Sequence, residues 1–154
     1  MYYTDYEELN YNLISLIHGF DKDEANLIAN LANAAALLAQ NLQGINWVGF
    51  YLVQKDKLMV GPFQGKPACR EIRMGRGVCG TAWEKDELQV VPDVHEFPGH
   101  IACDENSRSE IVIPIHKDGK VICVLDIDSP ERNRFSPGDV MGLVGFAKII
   151  EGEI

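Results

Sequence analysis

The sequence lacks the features that would place the chain in a membrane or on a nucleic acid. No apolar run approaches the roughly 18 residues that a transmembrane helix requires, and the best candidate, LANAAALLAQ, is far too short. Positive charge is also scarce, because 14 Lys and Arg stand against 23 Asp and Glu, a net charge of −9. Since binding to phosphate backbones or anionic lipids depends on clustered cations, we expect neither partner.

The N-terminus, MYYTDYEELN, has neither the basic nor the apolar region of a secretory signal. We therefore expect a reducing, cytoplasmic compartment, where permanent disulfide frameworks are rare.

No CxxC pair of the kind found in structural zinc sites is present. His95 and His100 could complete a mixed site with cysteine, but they are more simply ordinary loop residues, so we predict no metal and no cofactor. The cysteines are Cys69, Cys79, Cys103 and Cys123.

Length and composition favour one globular domain over residues 1–154, with 46% hydrophobic and 24% charged residues. Periodicity predicts helices over 4–18 and 23–42, the second capped by Asp21 or Asp23. A last helix is predicted within 135–154, with Ser136 as its N-cap and Pro137 at its first helical position. The segment GRGVCGTAWEKDE reads as a glycine-rich loop that leads into a short helix. Strands are predicted at INWVGFYLV, LMVGPF, 69–74, LQVV, EIVIPIHK and KVICVLDID.

The turns between these strands indicate how they pair. Asp118-Gly119 is a strong signal for a two-residue hairpin, and hairpins make an antiparallel sheet. We therefore predict an α+β fold with a central antiparallel sheet and the N- and C-terminal helices on one face. The short helix and the long polar loop 92–109 would then form a ligand pocket on the other face.

Alternation along the strands assigns side chains to the two faces of the sheet. One face of KVICVLDID is fully apolar, so Cys123 is predicted to be a core thiol. The other face carries Asp126 and Asp128, which are either a solvated strand end or part of a pocket for an ammonium group or a shared proton. In INWVGFYLV, Trp47 and Tyr51 share a face, either as core packing or as a wall of that pocket.

Cys103 is placed unusually for a structural cysteine. It lies in HIACDENSRSEIVIPI, among polar residues and before the apolar run that begins at Ile111. Cys69 and Cys79 also lie in or beside predicted loops. The three thiols are either unremarkable or redox-active, in which case an exposed thiol attacks an electrophile, becomes a sulfenic acid and is resolved by a second thiol. Glu110 and the two strand acids would assist a departing oxygen.

These segments resemble the GAF-domain free methionine-(R)-sulfoxide reductases over nearly the whole chain. The similarity runs from NWVGFYL through GPFQGKPACREIRMGRGVCGTAWEKDELQVVPDVHEFPGHIACDENSRSEIVIPI to VLDIDSPERNRFS. Its most specific parts are the spacing of the three loop cysteines, HIACD, SRSEIV and LDIDS. A generic GAF domain would not carry all three thiols.

The resemblance implies an enzyme that reduces free L-methionine (R)-S-oxide to methionine, recycles the oxidised amino acid and uses thioredoxin as reductant. Cys103 matches the attacking cysteine, Cys69 the main resolving cysteine and Cys79 a secondary resolving cysteine. The other matches are acids that hold the ammonium and the sulfoxide oxygen, and aromatic residues around the methyl and thioether end: Glu110, Asp126 and Asp128, with Trp47 and Tyr51. The preference for the R epimer rests on the resemblance alone.

Chemistry gives the three acids separate tasks. Crowded carboxyl groups raise one another's pKa, so at least one should stay protonated near neutral pH and act on the oxygen. We expect Asp128 with Glu110 toward the oxygen, and Asp126 with Glu110 toward the ammonium. Backbone N–H groups of the 98–104 loop would bind the substrate carboxylate, since no arginine is clearly placed for it. Such a pocket excludes peptides, because an amide replaces neither charge.

Two other functions fit the same residues. A ligand-sensing GAF module would share the fold and the pocket without chemistry, and a thiol redox switch would form a disulfide without preferring an amino-acid sulfoxide.

The N-terminal tyrosines leave the oligomeric state open, because they either line a homodimer interface or belong to a frayed terminus: Tyr2, Tyr3, Tyr6 and Tyr11.

Overall fold

The computed structural model describes residues 2–101 and 103–154. Its helices and strands are α1 (Tyr6–Ile17), α2 (Glu24–Asn41), β1 (Trp47–Gln54), β2 (Lys57–Gly65), β3 (Glu71–Arg73), α3 (Gly77–Lys85), β4 (Gln89–Val91), β5 (Ser109–Lys117), β6 (Lys120–Ser129) and α4 (Pro137–Gly152). A short 3-10 helix covers Val94–Glu96. Over the described ranges, no helix has both the length and the apolar character needed to cross a membrane.

The strands form one sheet in the order β3-β2-β1-β6-β5-β4, and every neighbouring pair is antiparallel. Asp118 and Gly119 close the β5–β6 hairpin with φ of +53° and +77°, the conformation that a tight primed turn requires. The central strands β1 and β6 place Trp47 opposite Asp128. The predicted α+β architecture is confirmed.

The terminal helices cover one face of the sheet. α1, α2 and α4 bury an apolar cluster against β1, β5 and β6, to which the sheet contributes Val48, Phe50 and Leu125 among others. Cys123 is fully buried in this cluster, as its place in the alternation predicts. Burying a large apolar side chain contributes about 1.5–3 kcal/mol, so this face supplies much of the stability of the fold.

Side-chain caps fix where the helices begin. Asp23, and not Asp21, caps α2 by accepting the N–H of Asn26 at 2.7 Å. Ser136 and Asp139 cap α4 reciprocally, each side chain accepting the other residue's backbone N–H. Asp139 also accepts a hydrogen bond from the Arg134 guanidinium at 3.0 Å. The C-terminal helix is therefore anchored at its first turn.

Most predicted bounds differ from the structure by one or two residues, and two of these differences have a clear physical reason. The first helix begins at residue 6 and not at 4, because Asp5 is its N-cap. The last helix begins at Pro137 with Ser136 as its N-cap, as predicted. The strand predicted at 69–74 covers only Glu71–Arg73, and the Cys69 carbonyl instead accepts the Tyr51 hydroxyl at 2.9 Å. Cys69 therefore lies in the connection between β2 and β3.

The N-terminal tyrosines divide into two pairs. Tyr2 donates to Glu131, and Tyr6 donates to Asp139 at 2.7 Å, so neither belongs to a frayed terminus. Tyr3 and Tyr11 are 87% and 70% exposed. The homodimer stays a prediction.

His116 connects β5 to two helices. Its Nδ1 lies 2.8 Å from Glu151 on α4, and its Nε2 lies 2.6 Å from Asp86 at the end of α3. These hydrogen bonds, with Glu151 first, raise the pKa of the imidazole. Because the folded-state pKa is raised, the stabilisation is complete below the unfolded pKa of about 6.5 and is lost as pH rises through the folded value.

We therefore expect His116→Gln to lower the free energy of unfolding by up to about 1 kcal/mol near pH 5.5 and by less near pH 8.5, since these side chains are partly exposed. Urea unfolding at the two pH values measures the difference. His95→Gln is the control, because the histidine–carboxylate pairs within the described residues involve His18 and His116 and not His95. A loss that is the same at both pH values would contradict the role of the charged ring.

Candidate active site

The second face of the sheet forms the floor of a cavity. α3 and the loop before β5 cover this face, and the space between them amounts to about 590 Å³ including its open mouth. All the predicted site residues except Cys69 line this cavity. A cavity therefore lies on the face where the ligand pocket was predicted.

Two neighbouring strands bring three carboxyl groups together at this floor. Glu110 on β5 lies directly opposite Asp128 on β6, and Asp126 follows on the same face of β6. Glu110 and Asp126 are only 7% and 4% exposed. Burial, followed by mutual repulsion, raises the pKa of Glu110 and Asp128, and burial raises that of Asp126. The cluster therefore retains protons at pH values where an isolated carboxyl group is ionised.

A one-residue irregularity creates the pairing between Glu110 and Asp128. The hairpin starts with Lys117 opposite Lys120, and the register shifts between Ile115 and His116. Without the shift, Glu110 would lie opposite Ile127, which belongs to the apolar face. Bulges commonly re-aim side chains next to a functional site. Here the extra residue is Ile122 of β6, and it brings Asp126 and Asp128 to the face that Glu110 occupies.

Cys79 lies in the first turn of α3, directly beside the glycine-rich loop, as predicted. Its side chain is buried, and its Sγ lies 4.0 Å from Glu110 Oε2. A helix N-terminus ordinarily lowers a thiol pKa. Here the pKa of the Cys79 thiol is instead raised well above its ordinary value, first by burial and then by the charges of Asp126 and Glu110. The Cys79 thiol is therefore protonated near neutral pH.

Trp47 and Tyr51 form one wall of the cavity. Both rings are buried, and their centroids lie 5.8 Å apart in a stacked arrangement. Gly49 between them leaves room for the indole, because a Cβ at this position would lie 2.8 Å from Trp47 Cη2. The Trp47 indole N–H donates to the Lys66 carbonyl at 3.1 Å. Together with the bond from Tyr51 to Cys69, the wall holds the 66–69 segment at the pocket mouth.

A disulfide joins Cys69 to Cys103 across 34 residues. It connects the β2–β3 segment with the loop before β5, and both cysteines are half-buried. The two remaining thiols, Cys79 and Cys123, are free and buried on opposite faces of the sheet. Spacing alone did not indicate which thiols pair.

Sequence reasoning missed two cationic side chains. Lys66 and Arg76 line the cavity, although no arginine was expected there. Arg76 lies between two glycines in GRG, immediately before α3. Its position three residues before Cys79, a predicted site residue, was the sequence signal that could have indicated a cation at the pocket. The loop N–H groups expected to bind a carboxylate are partly used, because Cys103 donates to Ile101. Ala102 of that loop lies outside the described residues.

The buried acids should lower stability at neutral pH. Because the folded-state pKa of Glu110 is raised, stability is highest below the ordinary pKa of about 4.3 and falls as pH rises through the folded value. We expect Glu110→Gln to remove part of this penalty and to raise the Tm at pH 8 by about 2–4 °C, the shift that about 1 kcal/mol gives in a chain of this size. At pH 4 the gain should be smaller.

Thermal unfolding at both pH values measures this effect. Glu105→Gln, in an exposed loop position, is the matched control and should leave the Tm nearly unchanged. A Tm that falls at pH 8 would show that Glu110 stabilises the folded state.

Comparisons with known proteins define the class. A family model described as GAF domain matches residues 17–154, so the chain belongs to the GAF domain family.

Within this class, the chain is similar to proteins named free methionine-R-sulfoxide reductase. The one from Escherichia coli strain K12 is 50% identical over 138 residues, which are 90% of this chain and 81% of that protein. The one from Saccharomyces cerevisiae is 43% identical over 152 residues, 94% of this chain and 84% of that protein. The structure of fRMsr of Staphylococcus aureus in complex with substrate superposes with a TM-score of 0.90 at 52% identity and covers 99% of this chain and 97% of that chain. The resemblance to GAF-domain free methionine-(R)-sulfoxide reductases is confirmed.

Proposed function

We propose that the chain is an oxidoreductase that reduces free methionine (R)-sulfoxide to methionine, with Cys103 as the attacking cysteine and Cys69 as the main resolving cysteine. The observation that carries this proposal is the disulfide between these residues at a pocket floored by buried, proton-retaining acids. The names of the related proteins support the substrate.

The reaction balances in three steps. The Cys103 sulfur attacks the sulfoxide sulfur, the S–O bond breaks, and the oxygen leaves on Cys103 as a sulfenic acid while methionine is formed. The Cys69 thiol then attacks the sulfenic sulfur, which gives the disulfide and one water molecule. A dithiol, which we propose to be thioredoxin, transfers two electrons and two protons to the disulfide and restores both thiols.

The acid cluster supplies the proton that the first step requires. Acidic neighbours disfavour a thiolate at Cys103, so the attack depends on making the sulfoxide sulfur more electrophilic. A protonated carboxyl group hydrogen-bonded to the oxygen does this. We assign Glu110 with Asp128 to the oxygen, and Asp126 with Glu110 to the substrate ammonium, where a buried carboxylate gains a counter-charge.

The remaining groups bind the ends of the amino acid. Trp47 and Tyr51 offer apolar surface to the methyl and thioether end. Lys66 and Arg76 are the cationic side chains that can reach the substrate carboxylate. Because an amide carries neither charge, this arrangement selects the free amino acid over peptide-bound methionine.

Cys79 acts as a secondary resolving cysteine in this scheme. It lines the same cavity, which supports a secondary resolving role, but its buried and protonated thiol makes it a slow nucleophile. A cytoplasmic location and a homodimer complete the proposal.

The test is consumption of the separated R and S epimers of free methionine sulfoxide with a thioredoxin system. We expect methionine to form from the R epimer only, and N-acetylmethionine (R)-sulfoxide, which lacks the ammonium group, to be consumed at least about 100-fold more slowly. No turnover of either epimer would reject the reductase in favour of a ligand-binding GAF module. Equal rates for the free and acetylated compounds would reject the role of the acids in binding.

A further inference from the structure

Three potential metal ligands meet at the floor of the cavity. Cys79 on α3, Glu110 on β5 and Asp126 on β6 each direct one ligand atom so that the three atoms lie within 4.8 Å of one another. All three residues are buried, and all three line the cavity. A ligand in the cavity can therefore reach a thiol and two carboxyl groups from three separate elements at once.

One carboxyl oxygen at this floor has no partner in the part of the chain that the structure describes. Asp126 is 4% exposed, and its Oδ1 has no hydrogen-bond partner among the described residues. The ion pairs that lysine and arginine form within residues 2–101 and 103–154 all involve other acids: Glu71, Asp93 and Asp139. A buried, unpartnered carboxyl oxygen costs free energy unless a donor or a cation meets it. The floor therefore leaves one buried oxygen open to a ligand that supplies a donor or a positive charge.

We propose that Cys79, Glu110 and Asp126 form a site for a divalent transition-metal ion, of which Zn²⁺ fits the donor set best. Zn²⁺ accepts thiolate and carboxylate ligands, and three protein ligands leave a fourth position open toward the cavity. Tetrahedral bonds of about 2.3 Å to sulfur and 2.1 Å to oxygen place the two ligand atoms about 3.6 Å apart. The observed Cys79–Glu110 distance of 4.0 Å therefore needs to shorten only slightly.

The donor set argues against the harder cations. Mg²⁺ and Ca²⁺ prefer six or more oxygen ligands, whereas this site has a thiol as one of three donors. Zn²⁺ binding replaces the thiol proton and any protons held by the two carboxyl groups, and these protons pass to the solvent. No electron is transferred, so the ion can bind whether the Cys69–Cys103 pair is oxidised or reduced.

One consequence rests on the proposed function. The substrate ammonium and Zn²⁺ would use the same carboxyl groups, so the metal should inhibit turnover competitively. The binding test below contains no substrate, and a failure of the metal site is thus distinct from a failure of the reductase.

The experiment is a titration of the oxidised, full-length protein with Co²⁺, which replaces Zn²⁺ and reports thiolate coordination by a sulfur-to-metal charge-transfer band. Cys79→Ala and Cys123→Ala form a matched pair, because each removes one of the two buried free thiols. We expect one equivalent of Co²⁺ to bind with a thiolate band that persists in Cys123→Ala and is absent in Cys79→Ala. Excess Zn²⁺ should displace it.

Asp126→Asn tests the oxygen ligands. Loss of one ligand should weaken metal binding by at least about 100-fold, since even outer partners of metal ligands contribute 10–100-fold. Cys123→Ala decides the question alone if another variant fails to fold, because Cys79 is then the one free thiol left in the oxidised chain. Absence of the thiolate band in Cys123→Ala, or unchanged affinity in Asp126→Asn, would overturn the proposal.

Discussion

Replacing Cys103 with serine is expected to lower turnover of free methionine (R)-sulfoxide by at least about three orders of magnitude, the usual result of deleting a covalent nucleophile. Serine is close to cysteine in size but cannot form the sulfenic acid. Methionine formation with a thioredoxin system in excess measures the rate. Residual turnover within tenfold of the unsubstituted protein would show that another thiol attacks the sulfoxide.

Cys69→Ser is the matched comparison, because it removes the other half of the same disulfide. The first chemical step does not need Cys69, so the reduced variant should release about one equivalent of methionine and then turn over slowly. A burst of normal size followed by slow turnover separates resolution from attack. If Cys69→Ser also abolishes the burst, the two cysteines do not have separate tasks.

The acids should produce the second largest effect. We expect Glu110→Gln and Asp128→Asn to slow the single-turnover rate by about 10²–10⁴-fold, the usual contribution of general acid catalysis. An amide can donate a hydrogen bond to the sulfoxide oxygen but cannot transfer its proton. Asp126→Asn should slow this step far less and instead raise the substrate concentration needed for half-saturation.

Rapid-quench measurement of methionine formed by reduced protein at saturating sulfoxide isolates this step from disulfide reduction. Glu105→Gln again serves as the exposed control. Equal, small effects of all three acid substitutions would mean that proton transfer to the oxygen does not limit the reaction.

Much of the fold follows from local chemistry that is visible in the sequence. The alternation in KVICVLDID separates Cys123 from Asp126 because a strand presents successive side chains to opposite faces. The Asp118-Gly119 turn and the Ser136 cap are equally local. The short β3 was not predictable, because the Cys69 carbonyl bonds to the Tyr51 hydroxyl and not to a strand, and that contact depends on the assembled sheet.

The candidate site shows the same limit more sharply. Trp47, Tyr51 and the two strand acids could be assigned to one face by parity. The pairing of Glu110 with Asp128 could not be predicted, because an unbroken hairpin pairs Glu110 with Ile127 and only the extra residue in β6 brings Asp128 opposite it. The pairing of Cys69 with Cys103 and the approach of Arg76 likewise depend on loops whose paths a residue pattern does not encode.

The two faces of β6 carry two sets of positions that can be substituted almost independently of each other. Leu125 and Ile127 face the helices, while Asp126 and Asp128 face the cavity. A map of tolerated substitutions along this strand should therefore have a period of two, with one set constrained by folding and the other by chemistry. A descendant could exchange its ligand by altering every second residue and still inherit the same scaffold.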